Sequence, residues 1–206
     1  IFSASLPATR AAVLDIDPLF VTFARASIAG LLAIILVSMF KERRPKGEHV
    51  APLIIVSLGV VVGFPLLTAL ALQHVTSAHS VVFIGLLPLA TAVFGVMRGG
   101  ERPRLPFWVF SGFGSLLVVG FALTRGVELS LWGDILVFAA IVVCGLGYAE
   151  GAQLSRKLGG WQVISWALII SLPMMAGLAL FTSPVSFADV GMPAWIGLGY
   201  VSVFSM

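Results

Sequence analysis

The basic residues of this chain lie in short clusters between long apolar runs, and this placement limits what the chain can fold into. Nine of its twelve Lys and Arg residues fall into three clusters. The clusters are Lys41, Arg43, Arg44 and Lys46; Arg98, Arg102 and Arg104; and Arg156 with Lys157. The connections between these clusters carry few cations, so every second loop is basic. This alternation is typical of a helical chain that crosses a membrane repeatedly, and it predicts that the basic loops face the cytoplasm.

Composition supports the same fold class. The chain is 59% hydrophobic and 10% charged, with a mean hydropathy of +1.09, which is far from the composition of a soluble domain. Its net charge of +3 is divided among membrane-flanking loops, so no nucleic-acid partner is predicted. The single cysteine, Cys144, excludes an internal disulfide framework and a Cys-based metal site within this chain.

Six apolar runs are long enough to cross a bilayer as helices. About 20 residues at 1.5 Å each match the roughly 30 Å of hydrocarbon. The runs are residues 18–40, 50–72, 77–97, 105–124, 133–154 and 161–181, with partial spans at 1–14 and 192–206. We therefore expect a fragment of a longer, all-α polytopic membrane protein.

Small residues four positions apart, such as Gly59 with Gly63 and Gly147 with Gly151, are candidate helix contacts. Pro65, Pro88 and Pro173 lie inside predicted spans. An interior proline either shapes a transport cavity or merely bends a packed helix, and both interpretations stay open.

Ionisable residues inside spans are the strongest indication of function, because each is costly in hydrocarbon. Glu150 shares a helical stripe with Gly147 and Gln153, so its carboxylate either binds a proton or a cationic group in a cavity, or pairs with Arg156 at the membrane surface. Arg25 either lines the cavity or has a structural role, by snorkelling or by binding neighbouring carbonyls. The candidate cavity residues are Glu150, Gln153, Tyr148, Trp166, Arg25 and Pro88.

Enzyme signatures are missing from the sequence. It has no His-Glu-x-x-His pair, no Gly-x-Ser-x-Gly elbow and no phosphate-binding Gly-x4-Gly-Lys loop, and its three histidines have no metal-ligand cluster beside them. The sequence predicts neither an enzyme nor a cofactor or metal site.

Four segments resemble the EamA-type transporters of the drug/metabolite transporter superfamily. Residues 87–103, LPLATAVFGVMRGGERP, resemble the end of that family's fourth helix. Residues 18–25, 71–78 and 133–158 resemble its second helix, its exit from helix three and the opening of its second repeat, in that order. The resemblance covers nearly the whole chain.

The resemblance implies an inverted repeat of two five-helix units, ten helices in the full protein, here truncated at both ends. The first repeat would occupy residues 1–125, and the second, incomplete, residues 126–206. It also implies a multi-pass permease of the bacterial inner (plasma) membrane that exports small metabolites or amino acids by alternating access through a cavity between the repeats. Proton coupling and oligomeric state stay open. The alternative is a structural or sensory membrane subunit that does not transport.

Overall fold

The computed structural model describes residues 4–124, 130–183 and 190–204, and their regular structure is helical throughout. The helices are α1 Ser5–Asp15, α2 Pro18–Met39, α3 Gly47–Val56, α4 Phe64–Ala71, α5 Ser77–Ile84, α6 Leu87–Gly99, α7 Leu105–Thr124, α8 Leu131–Leu158, α9 Gly160–Phe181 and α10 Met192–Phe204. A π-helical segment, Ser57–Gly63, joins α3 to α4 without a break. The predicted all-α class is confirmed.

Five helical stretches of the described chain are long and apolar enough to cross a membrane. They are Pro18–Met39, Gly47–Ala71, Ser77–Gly99, Leu131–Leu158 and Gly160–Phe181. The described apolar parts of α7 and α10, Leu105–Phe121 and Met192–Phe204, are shorter. Each predicted span coincides with a helix to within a few residues, so this is a multi-pass membrane protein.

Local chemistry explains where α8 begins and ends. The Ser130 side chain accepts a hydrogen bond from the Gly133 N–H and caps the first turn. Arg156 and Lys157 occupy the last turn, where cations favour the helix dipole. Gly159 then ends the helix with φ of +95°, a conformation that suits glycine. The result is a 28-residue helix, longer than the apolar run alone predicts.

With α1 counted as the first span, Gly47–Ala71 is the third, and it contains the π-helical segment just before Pro65. A proline cannot donate a backbone hydrogen bond, and its ring collides with the carbonyl four residues earlier. A wider turn ahead of the proline relieves that collision, and the Phe64 N–H accordingly donates to Gly59 O, five residues back. Pro65 therefore reshapes this span instead of bending it sharply.

The fourth span is interrupted between α5 and α6, at Gly85 and Leu86. Pro88 lies in the first turn of α6, where the missing N–H costs nothing. Pro88 thus begins a helix instead of kinking one.

Most of the extensive helix contacts join helices that are far apart in the sequence. In the described residues α2 packs against α9, α1 against α10, and α8 against α3, the π-helical segment, α4 and α6. Glycines permit the closest approach. A Cβ on Gly59 would lie 2.8 Å from Val143 O, and one on Gly63 would lie 2.7 Å from Val143 Cγ1. The prediction that Gly59 and Gly63 together form a helix contact is confirmed: both face α8, where Gly147 is part of the same contact.

The three basic clusters come together at one end of the bundle, here named the basic end. Gln162 donates to Glu42 across 3.4 Å, and Arg156 donates to Glu101 across 2.7 Å, so the three loops are joined to one another. At the opposite end, Arg10 donates to the carbonyls of Leu72 and Val75 and so caps α4. The alternation of basic loops therefore corresponds to two distinct ends of the molecule.

Candidate functional site

The interior of α2 carries two buried polar residues one helical turn apart. Thr22 is fully buried and Arg25 is 6% exposed. Helix α2 packs against α9, α10 and α4, so both side chains lie among helices and not against lipid. The interpretation of Arg25 as a residue that snorkels to the membrane surface is therefore wrong.

Helix α4 adds a second hydroxyl to the interior. Thr68 is buried on a helix that packs against α2. Buried hydroxyls in helices normally donate to the carbonyl four residues back, as Thr91 does to Leu87 O at 2.9 Å. The Oγ1 atoms of Thr22 and Thr68 are buried and have no hydrogen-bond partner in the described residues. Two hydroxyls that the fold leaves without partners are available to a ligand or to water.

Sequence analysis missed both threonines. An isolated Thr in an apolar run carries little signal by itself, because most such residues bond their own helix. The signal that was present is spacing: Thr22 lies three residues before Arg25, and Thr68 three residues after Pro65.

Glu150 is buried, and its partner is Arg98. The Nε atom of Arg98 donates to Glu150 Oε1, which joins the last turn of α6 to α8. The predicted pairing with Arg156 is wrong, because Arg156 binds Glu101 instead. In this structure the Glu150 carboxylate therefore already has a cationic partner. Arg98 and Glu101, both near the C-terminal end of the motif at residues 87–103, thus each bind a residue of α8.

The other predicted cavity residues are scattered. Gln153 packs on Gly99, and its buried Nε2 has no hydrogen-bond partner in the described residues. Tyr148 is 44% exposed on the outer surface of α8, and Pro88 is also exposed. Trp166 lines a cavity at the basic end. Gln153 therefore lies near Glu150 at the basic end, Trp166 lines a different cavity at the same end, and Tyr148 and Pro88 are exposed.

A further polar contact at the opposite end was not predicted. His79, at the start of α5, lies 2.5 Å from Asp134 in the first turn of α8, measured from Nε2 to Oδ1. His79 is buried and stacks on Phe83 at 5.1 Å. The fourth span is therefore bound to α8 at both of its ends.

These residues offer hydrogen-bonding groups and one buried carboxylate between the helices. No group of three His, Cys, Asp or Glu that could hold a metal occurs in the described part of the chain. Cys144 is a buried thiol. Membrane-spanning helices with polar groups buried between them define the class of protein as a multi-pass membrane transporter.

Comparison with known proteins gives the family. The model of the EamA-like transporter family matches residues 1–124, and the chain belongs to this family. It is 64% identical over 206 residues to the Bacillus subtilis (strain 168) protein "Uncharacterized transporter YdeK", covering all of this chain and 72% of that protein. It is 22% identical over 189 residues to "Uncharacterized transporter YyaM" of the same organism, covering 89% of this chain and 62% of that protein. No solved structure matches.

Membership of a transporter family confirms the predicted class and its location in the bacterial plasma membrane. It favours transport over the alternative of a structural or sensory subunit and agrees with the prediction that the protein is not an enzyme. The lipid bilayer and a small-molecule substrate are its partners.

Proposed function

We propose that the full-length protein exports a small metabolite or amino acid by alternating access, along a path between two five-helix repeats. The first repeat occupies residues 1–125 and the second begins at residue 126.

The packing of helices carries the proposal. In an inverted repeat of five spans, span one corresponds to span six, span two to span seven and span three to span eight. If two spans are in contact, the two spans that correspond to them must also be in contact. The second span, α2, packs against the seventh, α9. The first span, α1, packs against the eighth, α10, and the third, α3 to α4, packs against the sixth, α8. The contact of the first span with the eighth corresponds to the contact of the sixth with the third, and the contact of the second with the seventh corresponds to itself. The packing therefore supports an inverted repeat.

The buried polar groups suggest where a substrate binds. Thr22 and Arg25 lie on α2, at its boundary with the second repeat, and Thr68 lies on the adjacent α4. A guanidinium and two hydroxyl groups are hydrogen-bond donors suited to a carboxylate. An amino acid or a small organic acid is therefore the substrate class that these residues favour.

Glu150 has a separate role in this proposal. Its carboxylate binds Arg98 in the structure, and a proton or a substrate ammonium group competes with Arg98 for it during transport. Gln153, beside Glu150, supplies an amide at the same place. Coupling to protons would follow from this competition.

The test uses the full-length protein in proteoliposomes, with labelled amino acids and organic acids. Thr22→Val and Thr68→Val remove the two hydroxyls and keep the shape of each side chain. Each lost hydrogen bond to a charged substrate costs about 1.5–3 kcal/mol, so we expect transport to fall about tenfold or more. The thermal stability of both variants should be unchanged or higher, since no bond within the protein is lost.

Thr91→Val is the matched control, because its hydroxyl already donates to Leu87 O. It should transport normally. Normal transport by Thr22→Val and Thr68→Val would refute this binding site, and failure of the unmodified protein to move any compound of either class would refute the substrate assignment.

A further inference from the structure

A cavity of about 430 Å³ lies at the basic end, away from the buried threonines. One side is formed by the loop between α2 and α3 with the first turn of α3, and the other by the junction of α8 and α9. Four cations line it: Arg43, Arg44, Lys46 and Lys157. Two carboxylates, Glu42 and Glu48, leave a net charge of +2. The cavity therefore favours an anion.

The start of α3 strengthens this preference. Lys46 precedes the helix, and no side chain caps its first N–H groups. Uncapped N–H groups at a helix start bind phosphate readily, because their partial positive charges point toward the ligand. Lys46 and His49 in this segment both line the cavity. Cations beside an uncapped helix start indicate a phosphate group.

Two buried polar atoms indicate which other groups the ligand carries beside its phosphate. His49 is 7% exposed, and its Nδ1 has no hydrogen-bond partner in the described residues. Its Nε2 lies 3.5 Å from Glu48 Oε1, so Nδ1 is the ring nitrogen left for a ligand. Gln162 Oε1 is a buried acceptor without a partner in the described chain. Both positions suit a hydroxyl group, which can donate to the amide oxygen and can donate to or accept from the ring nitrogen.

We propose that this cavity binds a phosphate ester that bears hydroxyl groups, such as a glycerophosphate. The phosphate contacts the cations and the start of α3, one hydroxyl donates to Gln162 Oε1, and another hydrogen-bonds with His49 Nδ1. Such a group has two sources, the headgroup of an anionic phospholipid and a soluble polyol phosphate. Basic cavities between membrane helices at the cytoplasmic surface bind anionic lipid headgroups, and the same cations can bind a soluble phosphate ester. The site lies outside the proposed transport path and does not depend on it.

The experiment measures binding, not transport, on the full-length protein. In the first arm, the protein in phosphatidylcholine nanodiscs is titrated with glycerol 3-phosphate and, separately, with inorganic phosphate by calorimetry. In the second arm, native mass spectrometry counts the phosphatidylglycerol that the protein retains from mixed nanodiscs. Binding in the first arm identifies a soluble ester, and retention in the second arm alone identifies a lipid headgroup.

The variants separate a built site from general surface charge. Arg44→Gln with Lys157→Gln should weaken binding about tenfold or more in the arm that detects it. Arg102→Gln with Arg104→Gln removes the same charge from the same end, outside the cavity. This double variant should change binding less than about twofold, because salt screens exposed charges that do not contact the ligand. Gln162→Leu should reduce the preference for glycerol 3-phosphate over inorganic phosphate, or for phosphatidylglycerol over phosphatidic acid. Absence of binding in both arms, or equal losses in the two double variants, would overturn the proposal.

Discussion

At the scale of single residues, the basic end shows how a buried charge depends on one partner. The Glu150 side chain is 9% exposed, whereas that of Arg98 is 48% exposed. Removing either residue breaks the same pair, but the side chain left behind differs. Arg98 without Glu150 can turn toward water, whereas Glu150 without Arg98 stays buried as a charge without its partner.

This asymmetry gives a prediction. Arg98→Gln should destabilise the full-length protein by as much as about 3–5 kcal/mol, the usual cost of breaking a buried pair from the side that leaves the buried charge. Glu150→Gln should cost clearly less. Thermal unfolding in detergent measures both, and the double variant Arg98→Gln with Glu150→Gln should recover part of the loss.

The exposed pair of Arg156 and Glu101 is the control, with side chains 68% and 38% exposed. Glu101→Gln should cost about 1 kcal/mol or less, as for surface ion pairs in general. A larger loss of stability for Glu150→Gln than for Arg98→Gln would contradict the account. Transport measurements on the same variants separate the structural role of Glu150 from its role in proton exchange. If Glu150 exchanges protons, the transport rate of Glu150→Gln should no longer depend on pH.

At the scale of helices, apolar runs were sufficient to place the spans, because a helix in lipid must be apolar along its whole length. Partners inside the bundle were not predictable in this way. The sequence indicated Arg156, six residues further along the same helix, as the ion-pair partner of Glu150, and only the packing of α6 on α8 shows that the partner is Arg98. The π-helical segment was also missed, because Pro65 indicates a disturbed helix without specifying how it is accommodated.

The contact between the π-helical segment and α8 leads to a prediction at this scale. A Cβ at Gly59 would lie 2.8 Å from Val143 O and 3.0 Å from Gly147 Cα, both backbone atoms that cannot rotate away. Gly59→Ala should therefore separate the two helices and lower stability by about 1–3 kcal/mol, as overpacking does. Thermal unfolding measures the loss.

Gly112 in α7 provides the comparison, because a Cβ there would meet nothing within 4 Å. Gly112→Ala should be neutral or stabilising by about 0.5–1 kcal/mol, through helix propensity alone. Equal behaviour of the two alanine variants would mean that the close approach at Gly59 does not exist in the membrane.

At the scale of the whole molecule, the two ends differ in charge and in the kind of contact that joins them. The basic end contains the ion pairs of Arg98 and Arg156 and the cavity lined by cations, and the opposite end contains the contact of His79 with Asp134. An excess of cations at one end predicts that this end faces the cytoplasm.

Labelling of introduced cysteines tests that orientation. Native Cys144 is buried, so the unmodified chain should be inert to an impermeant thiol reagent. Gly47 and Gly160 at the basic end have open space around them, and Gln73 at the opposite end is exposed. In intact cells Gln73→Cys should react, whereas Gly47→Cys and Gly160→Cys should react only after the membrane is opened. The reverse pattern would show that the orientation is inverted.

The extensive packing of α8 against α3, α4 and α6 also bears on how the chain is made. A ribosome delivers α8 to the membrane after the spans that it packs against, so those earlier helices wait in lipid with Gly59 and Gly63 still uncovered. The surface that α8 later fills stays in contact with lipid until α8 has been synthesised. Packing of the first half of the described chain is therefore completed only when part of the second half is present.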